Sequence, residues 1–217
     1  MPIAVTEDQR LIADAMATWA ARANPRGSAR AQESSPDAWR KHWPELADIG
    51  LLGAAVPESA GGAGGSVADL AVMLEAAAAA LVPGPVLSSA LAATAIAESG
   101  RTRDAELDSL LDALVRGERT AGVTLGPGRL RAVRTADGGL TVTGSSGLII
   151  GADADTYLLL AARMDADDVW FVIAPDTPGV SLRDRSAGDF SRALGQVRLT
   201  DVAVTHPLEL RTDRVRE

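Results

Sequence analysis

The 217-residue chain contains no cysteine, only two histidines and few aromatic residues. The absence of cysteine excludes disulfide bonds, thiolate nucleophiles and cysteine-ligated metal sites. His42 and His206 lie far apart and form no pair with metal-ligand spacing, so we expect no metal site and a structural role for each. The Gly-x-Ser-x-Gly motif that positions many serine nucleophiles is also missing, which argues against a serine hydrolase.

Positive charge is in the minority, since 29 acidic residues outnumber 21 basic ones and give a net charge of −8. This balance argues against nucleic acid or an anionic membrane as a partner. The longest apolar run, residues 76–82, is too short to cross a bilayer, and the N-terminus lacks the basic and apolar pattern of a secretory signal. We therefore predict a cytoplasmic, soluble protein that binds neither nucleic acid nor a membrane.

A glycine-rich segment at residues 61–65 is open to two interpretations. A phosphate-binding loop of the Walker type needs a Gly-Lys-Ser/Thr sequence, and this segment has no lysine. A dinucleotide-binding loop needs a preceding strand, whereas this segment lies between predicted helices. We favour the other interpretation, a tight turn that lets helices pack closely.

Helical periodicity fills the first half of the chain and predicts five helices. The first begins at a capping-box pattern formed by Thr6 and Gln9. The second is predicted to begin with Ser35 as N-cap and Pro36 at its first position, and to end at Gly50. The other three helices are predicted at residues 66–81, 88–99 and 104–116.

The apolar period changes from 3.6 to 2 residues after Gly117, which predicts strands. Compact apolar runs at residues 157–162 and 169–174 are typical of buried strands, and residues 197–204 alternate again. Helices first and strands second indicate an α+β fold with a boundary near residues 117–120. From these patterns alone, the chain is a soluble two-part protein of unspecified function.

Several segments, taken in order, resemble those of acyl-CoA dehydrogenases. Each segment is short, but their order and spacing cover nearly the whole chain and are fairly specific. The segments are residues 6–11, 43–52, 56–64, 117–119, 188–192 and 197–204. The resemblance implies an N-terminal helical domain over residues 1–118 and a middle domain over residues 119–217, which is an antiparallel β-barrel or β-sandwich.

The resemblance also implies a cofactor, FAD, whose isoalloxazine ring the family's β domain holds against an acyl-CoA thioester. Two segments of this chain correspond to the family's flavin-binding segments, Val-Thr-Glu-Pro and Trp-Ile-Ser/Thr. The cofactor-binding residues that follow from this correspondence are Val123, Thr124, Leu148, Ile149 and Ile150.

Three substitutions change this implied FAD site. Leu125 replaces the glutamate, Leu148 replaces the tryptophan, and Ile150 replaces the hydroxyl residue. We assign Thr124 to a hydrogen bond with the flavin, and a strand-end threonine without a special role is the alternative. Because each lost hydrogen bond costs on the order of 1 kcal/mol, we expect weaker binding of FAD than in the family.

The family's catalytic base, a glutamate, comes from a third, helical domain that has no counterpart in these 217 residues. No catalytic residue is therefore assigned. One hypothesis is α,β-dehydrogenation of an acyl-CoA thioester with FAD, completed by a C-terminal domain or by a partner acyl-CoA dehydrogenase chain in a homo- or hetero-oligomer. A second is a non-catalytic subunit of a heteromeric acyl-CoA dehydrogenase with a degenerate flavin site. A third, weaker one is an acyl-CoA-binding module without redox chemistry.

Overall fold

The computed structural model describes residues 6–99, 104–136, 138–185, 188–208 and 210, in which helices precede strands. This order confirms the predicted α+β class. The helices are α1 (Glu7–Ala23), α2 (Pro25–Ala31), α3 (Trp43–Asp48), α4 (Val67–Ala79), α5 (Val86–Glu98) and α6 (Ala105–Val115), with short 3₁₀ helices at Ala38–His42 and Glu58–Ala60.

The second predicted helix, from Pro36 to Gly50, is wrong as a continuous element. The structure has a 3₁₀ helix at Ala38–His42 followed directly by the α-helix α3. Pro44 explains the division, because proline has no N–H to donate and its ring would crowd the carbonyl group of Arg40, four residues earlier. In α3 it occupies the first turn, where a missing N–H is harmless.

Capping boxes begin α1 and α4, and a side-chain hydrogen bond joins the two. Thr6 Oγ1 accepts from the N–H of Gln9 over 3.2 Å and Gln9 Oε1 accepts from the N–H of Thr6 over 3.1 Å, which confirms the predicted cap. Ser66 and Asp69 form the same arrangement at α4. Gln9 Nε2 also donates to Asp69 Oδ1 over 2.9 Å. Hydrogen bonds from the Ser66 N–H, the Gln9 amide and the Ser66 hydroxyl lower the pKa of Asp69.

The strands form one sheet of nine within the described residues, in the order β1-β4-β8-β3-β2-β5-β6-β9, with β7 paired to β8. Its buried face packs a cluster of aliphatic side chains around Phe171. The strands are β1 (Ala121–Thr124), β2 (Arg131–Arg134), β3 (Leu140–Ser145), β4 (Ile149–Ile150), β5 (Tyr157–Met164), β6 (Asp167–Ile173), β7 (Val180–Asp184), β8 (Leu194–Val204) and β9 (His206–Leu208).

The sheet is mixed, so the expectation of a purely antiparallel barrel or sandwich is wrong. Strand β5 runs parallel to both β1 and β2, whereas the other pairings are antiparallel. Parallel pairing is possible because β2, β3 and β4 separate β1 from β5 in the chain, which supplies the long connection that parallel neighbours need. The sheet also does not close into a barrel, since β2 and β5 meet only at Arg131 and Arg163.

Helices α5 and α6 pack against β1, β5 and β6 through a shared apolar cluster. One hydrogen bond reinforces this contact, and a second holds the segment that leads from α6 into β1 against α3. The N–H of Ala121 donates to Ser89 Oγ of α5 over 3.0 Å, and Trp43 Nε1–H donates to the carbonyl group of Gly117 over 2.9 Å. The first strand therefore begins at a position that the helices determine.

The loop that leads into β8 is also bound to the helical part. Gln32, which is 8% exposed, donates from Nε2 to the carbonyl group of Phe190 over 2.8 Å and accepts at Oε1 from the N–H of Trp39 over 3.1 Å. The N–H of Gly84 donates to the carbonyl group of Ser191 over 2.9 Å. These bonds hold residues 190–191 against the helices.

His42 is a buried residue of the helical part and is 1% exposed. Its Nε2 lies 2.8 Å from Ser28 Oγ, and its ring meets that of Trp19 edge-on with the centroids 5.8 Å apart. Burial lowers the pKa of His42 below its ordinary value of 6.5, Lys41 acts in the same direction, and Glu45 opposes both. The neutral imidazole is therefore the form that the fold favours.

We expect the stability contributed by neutral His42 to be fully present above pH 6.5 and to decrease as the pH falls, because the unfolded chain takes up the proton first. The measurement is urea unfolding of the wild type and of His42→Phe at several values from about pH 7 to about pH 5. The difference in the free energy of unfolding between the two proteins should move in favour of His42→Phe as the pH falls. A difference that stays constant with pH would contradict this assignment.

Candidate functional site

The structure brings the two predicted flavin-binding segments together at one end of the β1–β4 pair. In the antiparallel register Val123 lies opposite Ile150, and Thr124 lies opposite Ile149. These segments are separated by 24 or more residues in the sequence, so the sheet and not the local chain determines their contact. The five predicted residues therefore form one neighbourhood.

The five residues do not share one surface, because side chains alternate between the two faces of a strand. Ile149 belongs to the apolar cluster inside the sheet, whereas Val123 belongs to the cluster that faces α5 and α6. Thr124, opposite Ile149, is therefore on the sheet-core side, and Ile150, opposite Val123, is on the helix side. Only part of the predicted set could contact one ligand directly.

Leu125 and Leu148 flank the end of this strand pair, and we call the two the leucine shelf. Leu125 follows Thr124 and Leu148 precedes Ile149, so both lie one residue beyond the last paired positions. They are 78% and 52% exposed, so both leucine side chains are open to solvent beside a buried strand pair. The shelf can cover a flat apolar group and exclude water from it.

Thr124 is 1% exposed and its hydroxyl group is already engaged. Thr124 Oγ1 donates to the carbonyl group of Gly126 over 2.8 Å, which closes the turn after β1. Its proton is therefore used within the loop, and towards a ligand the oxygen could act only as an acceptor. This contact gives Thr124 a structural role whether or not a ligand is bound.

Close backbone packing holds the loop after β1 against the segment that precedes β4. Gly128 has φ +58°, and a Cβ atom there would lie 2.2 Å from the backbone nitrogen of Gly147. Ser146 fixes the other side, since its Oγ accepts from the N–H of Val197 over 3.0 Å and donates to the carbonyl group of Gly147 over 2.7 Å. Our sequence reasoning missed Gly128 and Ser146, although the glycines at residues 126, 128, 144 and 147 were a visible signal.

FAD, the cofactor that the resemblance implies, has a flat ring with a polar edge. The leucine shelf fits the face of such a ring. The polar edge of the ring finds few hydrogen-bond donors here, because the hydroxyl groups of both Thr124 and Ser146 already donate to carbonyl groups of their own loops. No residue from 123 to 128 or from 146 to 150 carries a titratable side chain, so proton transfer needs a group from elsewhere.

The glycine-rich segment at residues 61–65 is a tight turn against the residues that precede it. The N–H groups of Gly64 and Gly65 donate to the carbonyl groups of Val56 and Ala54, each over 2.9 Å. A Cβ atom on Gly62 would lie 2.1 Å from the carbonyl oxygen of Val56. Glycine is therefore required here by close backbone contact, as the second interpretation predicted.

The described part of the chain has neither a metal-binding cluster nor a helix suited to a membrane. No group of three or more acidic or histidine side chains there is arranged to hold a metal ion. Within the same ranges, no helix combines the length and the apolar character that crossing a membrane requires.

The sequence profile of the family "Acyl-CoA dehydrogenase, N-terminal domain" matches residues 6–118, and the chain belongs to the acyl-CoA dehydrogenase family. It is 34% identical to acyl-CoA dehydrogenase FadE34 of Mycobacterium tuberculosis (strain ATCC 25618 / H37Rv) in an alignment that covers 100% of this chain and 29% of that relative. The chain thus spans less than a third of the length of this curated relative.

Solved structures share the fold. The Tcur3481-Tcur3483 steroid ACAD G363A variant has a TM-score of 0.81 at 29% identity, covering 95% of this chain and 58% of that one. The ChsE4-ChsE5 complex from Mycobacterium tuberculosis has a TM-score of 0.76 at 24% identity, covering 96% of this chain and 58% of that one. The described helices and mixed sheet therefore correspond to about three fifths of each of these chains.

Proposed function

We propose that this chain forms the N-terminal helical domain, residues 1–118, and the middle β domain, residues 119–217, of an acyl-CoA dehydrogenase unit that acts on an acyl-CoA thioester with FAD. One observation carries the proposal: the β1–β4 pair brings the two segments that resemble flavin-binding motifs to the same end of the sheet. Membership of the family supplies the reaction class.

The leucine shelf and Ile150 would lie against the flavin ring in this proposal. Bound FAD would accept a hydride from the β-carbon of the substrate. Leu125 and Leu148 would exclude water from the ring, and their exposure leaves them free to do so. Thr124 lies on the opposite side of this strand pair from Ile150, and its hydroxyl proton would keep the turn beside the ring closed.

The proton of the substrate's α-carbon needs a base, which we propose comes from outside this site. Residues 123–128 and 146–150 contain no group that could take it. The base would come from a further domain or from a partner acyl-CoA dehydrogenase chain in an oligomer. The ChsE4-ChsE5 complex, which has the same fold, combines two components. This supports a partner chain as the source of the base.

The proposal predicts that restoring the family's residues strengthens binding of FAD. Leu148→Trp with Ile150→Thr adds an aromatic face and one hydroxyl group on the shelf side of β4. We expect FAD to bind about fivefold more tightly for each hydrogen bond regained, since one such bond contributes about 1 kcal/mol. The measurement is a fluorescence titration of FAD, and neither protein alone should turn over acyl-CoA.

The control is Val133→Thr, which adds a hydroxyl group at a valine of β2 that is 65% exposed. It should leave the affinity for FAD unchanged. An unchanged affinity in the Leu148→Trp, Ile150→Thr protein, or turnover of acyl-CoA by the wild-type chain alone, would contradict the proposed site. The non-catalytic subunit would be the better description if the wild type binds no FAD even when a catalytic partner chain is present.

A further inference from the structure

A small polar cleft lies on the outer face of β3, β7 and β8. Its volume is about 130 Å³, and it contains no acidic or aromatic side chain. Val197 and Leu199 of β8 point into the sheet and are buried, so their neighbours Gln196 and Arg198 face outwards. The lining residues are Ser145, Ser181, Arg183, Gln196, Val197 and Arg198.

The strand register places hydrogen-bond donors around one point of this cleft. Arg198 lies between two serines, opposite Ser181 of β7 on one side and Ser145 of β3 on the other. Arg183 lies opposite Gln196 and is therefore the diagonal neighbour of Arg198, at roughly 7–8 Å between Cα atoms. Two guanidinium groups and two hydroxyl groups thus share one small space.

The charge of the cleft is not compensated locally. Among the described residues, neither Arg183 nor Arg198 lies within ion-pair distance of a carboxylate, since the ion pairs found there involve other side chains. A third guanidinium group, that of Arg185, contacts the lining residue Gln196, since its Nη2 donates to Gln196 Oε1 over 2.6 Å. This positive cluster is opposite in sign to the net charge of the whole chain, which is −8.

Gln196 is fixed and acts as a support for the cleft. Its Nε2 donates to the carbonyl group of Ser146 over 2.8 Å while its Oε1 holds Arg185. Both ends of the amide are therefore occupied, so its oxygen is not free to accept a hydrogen bond from Arg183 or Arg198. The arginines remain available to a ligand.

We propose that this cleft binds a phosphate group. Planar guanidinium groups match the geometry of phosphate oxygens and bind them through charge-assisted hydrogen bonds, and the two serine hydroxyl groups add neutral donors. The lining offers no aromatic ring on which a nucleobase could stack, so recognition is confined to the phosphate group itself. The group is either free inorganic phosphate or the phosphate of a nucleotide.

The test is a phosphorus NMR titration of inorganic phosphate at constant ionic strength, with the full chain. The wild type should bind, and Arg198→Gln should weaken binding about tenfold or more, because one charge-assisted contact is lost. Arg134→Gln is the matched control, since it removes the same charge from an exposed arginine of β2 outside the cleft. It should keep the wild-type affinity.

Two results would overturn the proposal: no binding of phosphate by the wild type, or an equal loss in Arg134→Gln and Arg198→Gln, which would indicate a general charge effect. If Arg198→Gln does not fold, Arg183→Gln serves as the variant in the same comparison. A second titration with adenosine monophosphate distinguishes the sources. Tighter binding than inorganic phosphate assigns the site to a nucleotide, and equal binding assigns it to the phosphate group alone.

Discussion

Replacement of Gly128 by alanine is expected to lower the free energy of unfolding by about 2–5 kcal/mol. The residue has φ +58°, a conformation that costs a side-chain-bearing residue about 1–2 kcal/mol. The added methyl group would also lie 2.2 Å from the nitrogen of Gly147 and 2.5 Å from the carbonyl carbon of Ser146, and such overpacking costs about 1–3 kcal/mol. The measurement is urea unfolding at equilibrium.

Alanine substitutions at two other glycines separate the cost of the positive φ from the cost of overpacking. Gly138 has φ +88°, but an added methyl group there would meet no atom within 4 Å, so Gly138→Ala reports the conformational cost alone. Gly126 has open space and no positive φ, so Gly126→Ala should have almost no effect. If Gly128→Ala were no worse than Gly138→Ala, the loop would not be packed against residues 146–147 as described.

The second large effect is expected for Phe171→Ala, which should lower the free energy of unfolding by about 3–5 kcal/mol. Phe171 is completely buried at the centre of the sheet's apolar cluster, where it pairs with Leu160 of β5 and Pro207 of β9. Its removal leaves a cavity that the surrounding strands cannot fill without moving. Chemical unfolding followed by circular dichroism and by tryptophan fluorescence is the measurement.

The helical circular-dichroism signal also tests how the helices and the sheet are coupled. Val172, the neighbour of Phe171, belongs to the cluster that joins β6 to α5 and α6. The loss of stability should therefore appear equally in the helical signal. A helical signal with an unchanged midpoint would mean that the two parts unfold separately. The control Val133→Ala, at an exposed position of β2, should change stability by less than about 0.5 kcal/mol.

Helix starts could be read from the sequence because they depend on residues three positions apart. Thr6 and Gln9 form the predicted capping box, and the helix predicted from residue 66 begins with Ser66 as its N-cap. The apolar spacing wrongly predicted one helix from Pro36 to Gly50. That spacing carries no information about Pro44, whose ring would crowd a backbone carbonyl group inside a continuous helix. Helix α2 was also missed, because Asn24 ends α1 in the left-handed region and Pro25 begins a new helix at once.

The strands were predicted from their period, but their directions were not. A period of two residues gives the faces of a strand and carries no information about its partner, so the parallel pairing of β5 with β1 and β2 could not be found that way. The same limit applies to the site. The resemblance predicts residues 123–124 and 148–150 as the site, whereas the contact between Gly128 and Gly147 arises only when the strands meet.

The way in which the loop before β8 is attached to the helices determines which of its residues can be substituted. Residues 190 and 191 are held through their carbonyl groups, which every amino acid possesses, by the Gln32 amide and the Gly84 N–H. The side chain of Phe190 is 54% exposed and takes no part in that hydrogen bond. The residue at position 190 can therefore be replaced without weakening the contact between the helices and the sheet, provided that Gln32 is retained.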